Sequence, residues 1–182
     1  QLTVLPDLSS NNALQGLYCG FNQLTSIPDL SSNISLENID VRGNQLTSLP
    51  ALSSNVALIS LSCSDNLLAT LPDLTADTAL SSLICDRNML TILPDLLAND
   101  SLEILWCDSN LLTSLPDLSN NTSLKNLLFN YNYVAVMPDL SSNVALETIQ
   151  AYDNELTSIP DLSPNVALQT RDFRNNRLDF SD

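Results

Sequence analysis

Cys19, Cys63, Cys85 and Cys107 are the strongest nucleophiles of the chain, and the last three stand 22 residues apart. Thiols at a fixed interval could bind a metal, pair as disulfides or react as thiolates. The carboxylates Asp7, Asp29, Asp73, Asp95, Asp117, Asp139 and Asp161 keep the same interval, each after a proline, with Ala51 as the gap. Such a row could share a hard cation such as calcium. Catalysis lacks its usual parts. There is no histidine, and the three glycines, Gly16, Gly20 and Gly43, build no phosphate-cradling loop. A serine or cysteine nucleophile would find no base to activate it. The residue types predict a non-catalytic chain with no cofactor.

The interval that spaces these groups belongs to the whole chain. A leucine opens a unit at Leu14, Leu36, Leu58, Leu80, Leu102, Leu124 and Leu146, and a broken copy begins at Leu168. Pro6, Pro28, Pro50, Pro72, Pro94, Pro116, Pro138 and Pro160 keep the same beat. A constant period of this length, without insertion or deletion, is the signature of a solenoid whose copies stack on one another. The consensus unit reads L-x-x-L-x-C-x-x-N-x-L-T-x-L-P-D-L-S-S-N-x-A. We divide a single domain, 1–182, into a partial unit 1–13, seven full units over 14–167 and a degenerate one over 168–182. In the last of these, Arg171 takes the place of an inward leucine.

Within a unit the opening L-x-x-L-x-C alternates apolar and polar, the period of a strand with one buried face. Stacked copies would lay these strands side by side as a parallel sheet. The return half carries a proline, which removes a backbone donor and disfavours helix at the residue before it. Extended chain with a short turn is predicted there. Each unit buries about six apolar side chains at roughly 1.5–3 kcal/mol apiece. Ordering the backbone costs about 1–2 kcal/mol per residue. No unit stands alone; its neighbours must supply the difference.

The pattern L-x-x-L-x-[CL]-x-x-N-x-L resembles that of leucine-rich-repeat proteins, and the match runs the length of the chain. The 22-residue unit with its L-P-D-L half is similar to repeats of bacterial surface and secreted proteins, the internalin-like group included. Where those carry a leucine, this chain places Asn33, Asn55, Asn99, Asn121, Asn143 and Asn165. The resemblance implies an α/β-type, mostly β, repeat solenoid. It would be a right-handed superhelix with a parallel sheet on its concave face and an extended or 3-10 convex face with little α-helix. It also implies a ladder of Asn22, Asn44, Asn66, Asn88, Asn110, Asn132, Asn154 and Asn176 bonded to neighbouring backbone, and a secreted or cell-surface location.

Position within the unit sorts the candidate groups. The cysteines share the sixth place with Val41, Phe129 and Ala151, an inward slot, where a thiol acts as a small hydrophobe. Side chains on adjacent parallel strands point the same way, so free buried thiols are expected despite the short distance between rungs. Pro-Asp is turn chemistry, because the carboxylate can hold an N–H two residues on. That use is favoured over a calcium ladder of Asp73, Asp95, Asp117, Asp139 and Asp161. The glycosylation sequons at Asn33, Asn99, Asn120 and Asn121 arise from the text of the repeat itself.

The fifth place should face solvent on the concave side, and it reads Tyr18, Asp40, Ser62, Ile84, Trp106, Leu128, Gln150, Asp172. The tenth reads Gln23, Gln45, Leu67, Met89, Leu111, Tyr133, Glu155, Arg177, with its apolar run on the same middle rungs. Ile104, Tyr131 and Tyr152 extend the border, and Asp86, Glu103, Asp108 and Asp153 rim it with acid. An apolar patch rimmed by charge marks a contact surface, and tryptophan and tyrosine are favoured there. The net charge is −15, with Arg171, Arg174 and Arg177 gathered in the final unit beside Asp172, Asp179 and Asp182. Such a surface repels nucleic acid and anionic membrane and suits a basic or amphipathic protein or peptide. Trp106 would anchor that partner, with Ile84, Leu128, Met89, Leu111 and Tyr133 as the wall. The alternative is a structural or adhesive segment of a larger bacterial surface protein, with calcium-assisted stacking and end-to-end self-association.

Overall fold

Every unit contributes one strand of three residues: β1 (Gly16–Tyr18), β2 (Asn38–Asp40), β3 (Ser60–Ser62), β4 (Ser82–Ile84), β5 (Ile104–Trp106), β6 (Asn126–Leu128), β7 (Thr148–Gln150) and β8 (Thr170–Asp172). The structure, a computed structural model, describes residues 1–179; the last three residues of the degenerate unit 168–182, Asp182 among them, lie outside the described residues. The strands form one parallel sheet in chain order. Each residue pairs with its counterpart one unit on, as Leu61 with Leu83 and Ile84 with Trp106. No helix occurs among the described residues. The solenoid is the architecture the period predicts, and the return half is extended chain ending in two tight turns. In those turns Asn33 N–H donates to the Leu30 carbonyl at 2.9 Å, and Leu36 N–H to the Asn33 carbonyl at 3.0 Å.

The core is a column of six apolar rows. Strand centres such as Leu61, Leu83, Leu105 and Leu127 form one row, and the opening leucines such as Leu58, Leu80, Leu102 and Leu124 form another; all are fully buried. The sixth place supplies Val41, Cys63, Cys85, Cys107, Phe129 and Ala151, also fully buried. Phe129 is the largest side chain among the fully buried ones, and the small Cys107 and Ala151 sit on the rungs beside it. Large against small keeps that row at interior density without forcing the rungs apart.

The chain leaves each strand through a residue of positive φ at the eighth place: Phe21, Asp65, Arg87, Ser109, Tyr131, Asp153 and Asn175 at 52–56°, and Gly43 at 64°. An L-residue there is disfavoured by about 1–2 kcal/mol. The geometry persists because it aims the residue's N–H at the next rung, as from Arg87 to the Asp108 carbonyl at 2.9 Å. Glycine has a second reason at position 43, since a Cβ there would stand 2.7 Å from the Phe21 ring.

Two rows of side-chain amides then tie rung to rung. In the first, at the ninth place, Asn110 is typical: its Nδ2 lies 3.1 Å from the Cys85 carbonyl one unit back and 3.1 Å from its own unit's Cys107 carbonyl. Its Oδ1 accepts the Leu90 N–H at 3.0 Å. This is the predicted ladder. The second row is one the sequence reading passed over. Asn33, Asn55, Asn99, Asn121, Asn143 and Asn165, noted only as departures from leucine, are buried and donate from Nδ2 to two turn carbonyls of the preceding unit. For Asn121 these are Leu96 at 2.9 Å and Asn99 at 2.7 Å. Amides committed this way are closed to glycosylation, so of the four sequons Asn120 alone has an exposed side chain.

Asn110→Ala deletes a buried amide and orphans the Leu90 N–H, so the unfolding free energy should fall by about 2–4 kcal/mol. Urea denaturation at constant protein concentration measures this; a change below about 0.5 kcal/mol would contradict the role given to the row.

Candidate functional site

Alternation along each three-residue strand decides what the open face of the sheet carries. The central residue turns inward, so the third and fifth places of every unit turn out. On β4, β5 and β6 the fifth place is Ile84, Trp106 and Leu128, paired side by side across the sheet. Trp106 is 36% exposed, and Ile84 and Leu128 on the flanking strands are half-buried. These three, with Asp86 and Asp108, line a hollow of about 460 Å³. The prediction that they share one surface therefore has a geometric counterpart.

Phe21, Arg42, Ser62, Ser64, Asp65 and Arg87 complete the lining of that hollow, and sequence reasoning singled out none of them. Ser62 stands in the fifth place, on β3, and the other five stand in the seventh and eighth places of the unit, which follow the strand onto the same face. The remaining candidates distribute differently. Tyr131 lines an adjoining hollow with Asp86, Asp108 and Tyr152, and its ring meets Tyr152 edge-on at 5.0 Å. Met89, Leu111 and Tyr133 are exposed and form a separate row beyond the asparagine ladder, linked to the preceding rung through backbone bonds such as Leu111 N–H to the Leu90 carbonyl at 2.8 Å. They line neither hollow. Ile104 is half-buried at the start of β5 and lines neither. Of the acidic rim, Glu103 is held by Lys125 Nζ at 2.8 Å, and Asp153 accepts from Asn175 Nδ2 at 3.1 Å.

Acid concentrates at the hollow's edge. Asp86 accepts a hydrogen bond from Ser64 Oγ and meets Arg87 Nη1 at 3.3 Å. Asp108 accepts from Asn130 N–H at 2.8 Å and Asn130 Nδ2 at 2.7 Å. Burial pushes the Asp108 carboxyl above its ordinary value, and repulsion from Asp86 one rung away adds to this. Arg87 also pairs with Asp65 at 3.4 Å, and Arg42 lines the same hollow. The hollow thus sets the apolar Ile84, Trp106 and Leu128 beside the carboxylates of Asp65, Asp86 and Asp108 and the guanidinium groups of Arg42 and Arg87.

The other two rows resolve into structure. Asp73, Asp95, Asp117, Asp139 and Asp161 each accept the N–H two residues on, from Thr75, Leu97, Ser119, Ser141 and Ser163 at 2.8–2.9 Å. That bond, from the residue two on, draws the carboxyls of Asp73, Asp117 and Asp161 below their ordinary value. Among the described residues no three acid or thiol groups converge as a metal set. Cys19, Cys63, Cys85 and Cys107 are free and buried. The Cys85 thiol points at the Trp106 carbonyl and that of Cys107 at the Leu128 carbonyl, each at 3.4 Å. The thiols of Cys85 and Cys107 are thus tied to the backbone of two residues that line the hollow.

Solved structures of known proteins share this architecture. The functional domain of InlJ from Listeria monocytogenes, which includes a cysteine ladder, is 33% identical over 99% of this chain with a TM-score of 0.90. YopM, a leucine-rich effector protein from Yersinia pestis, is 34% identical over 91% of the chain with a TM-score of 0.83. A leucine-rich-repeat protein of Leptospira interrogans, 24% identical over 94% of the chain, superposes with a TM-score of 0.86. The chain spans 38%, 44% and 45% of those three proteins' lengths respectively. No protein-family model and no curated protein sequence matches the chain.

Burial pushes the Cys63 thiol up to about 12 and those of Cys85 and Cys107 well above 9. Near pH 8 the native protein should therefore react with a thiol reagent on the order of a thousandfold more slowly than the urea-unfolded chain. Cys19, 6% exposed at the column's edge, should react first. Fast native labelling of Cys85 would refute the closed column.

Proposed function

The chain is a leucine-rich-repeat protein, and from that premise we propose that it is a non-catalytic recognition module that holds a protein or peptide against the open face of its sheet. The observation that carries the proposal is the hollow in which Trp106 lies between Ile84 and Leu128 beneath the carboxylates of Asp86 and Asp108. Apolar side chains stand there at places that the stack leaves free to vary. An exposed aromatic in a partly enclosed, acid-rimmed hollow is the geometry of an interaction hot spot. The occupant that suits it is a basic, amphipathic segment. Its apolar side would rest on Trp106, and its Lys or Arg would approach through the field of a chain of net charge −15. Met89, Leu111 and Tyr133, on their separate exposed row, would meet a longer partner outside the hollow. The likeness to a Listeria internalin and a Yersinia effector supports a secreted or surface setting. No helix among the described residues is long and apolar enough to cross a membrane.

Trp106 is the only tryptophan, so its fluorescence reports directly on the hollow. Twelve-residue peptides selected from a random display library against the native chain provide the probe. Selected peptides should be enriched in Lys or Arg beside an aromatic or aliphatic residue, and should shift the Trp106 emission. Trp106→Ala should weaken their binding about 30-fold or more, equivalent to about 2 kcal/mol. The pair Asp86→Asn and Asp108→Asn should slow association and flatten its salt dependence, with little effect on dissociation. Peptides that bind Trp106→Ala as well as the unmodified chain would remove the hollow from the proposal. Concentration-dependent growth into rods by light scattering, without peptide capture, would favour the structural reading instead.

A further inference from the structure

One residue of the buried turn row has no amide to offer. Where the row elsewhere carries asparagine, the unit beginning at Leu58 carries Asp77, with 0% of its surface exposed and neither carboxyl oxygen bonded to any protein group. Its backbone behaves like that of its neighbours: Asp77 N–H donates to the Leu74 carbonyl, and the Asp77 carbonyl accepts from Leu80 N–H and from Asn99 Nδ2. The side chain is what differs. By the repeat register, the carbonyls of Leu52 and Asn55 stand on its rung where those of Leu74 and Asp77 stand for Asn99. An ionised carboxylate brings no donor to those two oxygens. A protonated carboxyl brings one O–H.

The surroundings supply nothing to hold a negative charge. Among the described ion pairs none involves Asp77. The charged group that bears on it is Asp73 of the same turn, which opposes ionisation, and the amides stacked on either side, Asn55 and Asn99, are neutral. We propose that Asp77 is a proton-operated joint in the solenoid: protonated, its O–H donates to the Leu52 or Asn55 carbonyl and closes the amide row; ionised, it leaves the row open at that rung. Burial first, and the Asp73 charge second, raise the carboxyl from 3.8 to about 6. The folded value lies above the unfolded one, so the joint's contribution is complete below about pH 4 and is lost as the pH rises through about 6. The chain is then stiffer on its turn side in a mildly acidic medium than in a neutral one. This inference concerns the frame and stands independently of what occupies the open face.

The test compares the chain with Asp77→Asn by urea unfolding at about pH 7.5 and about pH 4.5. The variant restores the amide, so it should be the more stable protein at the higher pH. A shift of about two pKa units corresponds to about a hundredfold in the folding equilibrium once both states are protonated, and at about pH 4.5 the advantage should already have shrunk about 25-fold. Titration of the other carboxylates is common to both proteins and largely cancels in the comparison. Carboxyl carbon resonances followed by NMR should show one group titrating near 6 that is missing from Asp77→Asn. An advantage that is absent at neutral pH, or equal at both pH values, or a carboxyl that titrates near 4, would overturn the proposal.

Discussion

A side-chain amide donating to a carbonyl one rung back is the interaction on which the rest of this molecule depends. Strands of three residues make too few backbone bonds to define a register, and apolar rows alone would tolerate slippage. The two asparagine rows remove that freedom. Each amide reaches carbonyls at fixed offsets, 22 or 25 residues back, which no insertion within a unit could preserve. One row pins the exit of the strand and the other pins the turns on the far side. Held at both edges, the leucine column between them needs no helix and no disulfide.

This division of labour frees the open face. The inward strand centre, the opening leucine, the sixth place and both asparagines are constrained by the stack. The third, fifth, seventh and eighth places point away from it and answer to no neighbour beyond the rung beside them. There the chain places its tryptophan, the Asp86–Asp108 pair and the Tyr131–Tyr152 contact. The acid edge has a further physical effect. Asp86 and Asp108 stand one rung apart, and the charge of Asp86 opposes ionisation of Asp108, so an approaching cation relieves a repulsion built into the hollow's edge.

Most of the frame was legible in the letters because period and burial are the same information in a solenoid. The inward rows, the buried thiols and the Pro-Asp turns follow once residues on one beat are assigned one place in space. Ile84, Trp106 and Leu128 could be put side by side for the same reason. What the period does not encode is direction after the strand. The positive φ at the eighth place is carried by Phe, Asp, Arg, Ser, Tyr and Asn with a single glycine, so composition gives no hint of it. That turn brings Phe21 and Arg87 onto the hollow while Met89 and Leu111 pass to another row. The asparagines of the turn were visible as a departure from leucine, yet their bonds depend on carbonyls oriented by turns that no letter specifies.

The aromatic ring of Phe129, seated between Cys107 and Ala151, makes the units less alike than their spelling suggests. A gene that gains or loses whole copies by unequal recombination would meet no obstacle among rungs of equal girth. A crossover that set Phe129 beside another bulky occupant, or that left Ala151 beside a second small one, would produce a swelling or a void in the column. The rungs around Phe129 are therefore not interchangeable with those of the first half of the array.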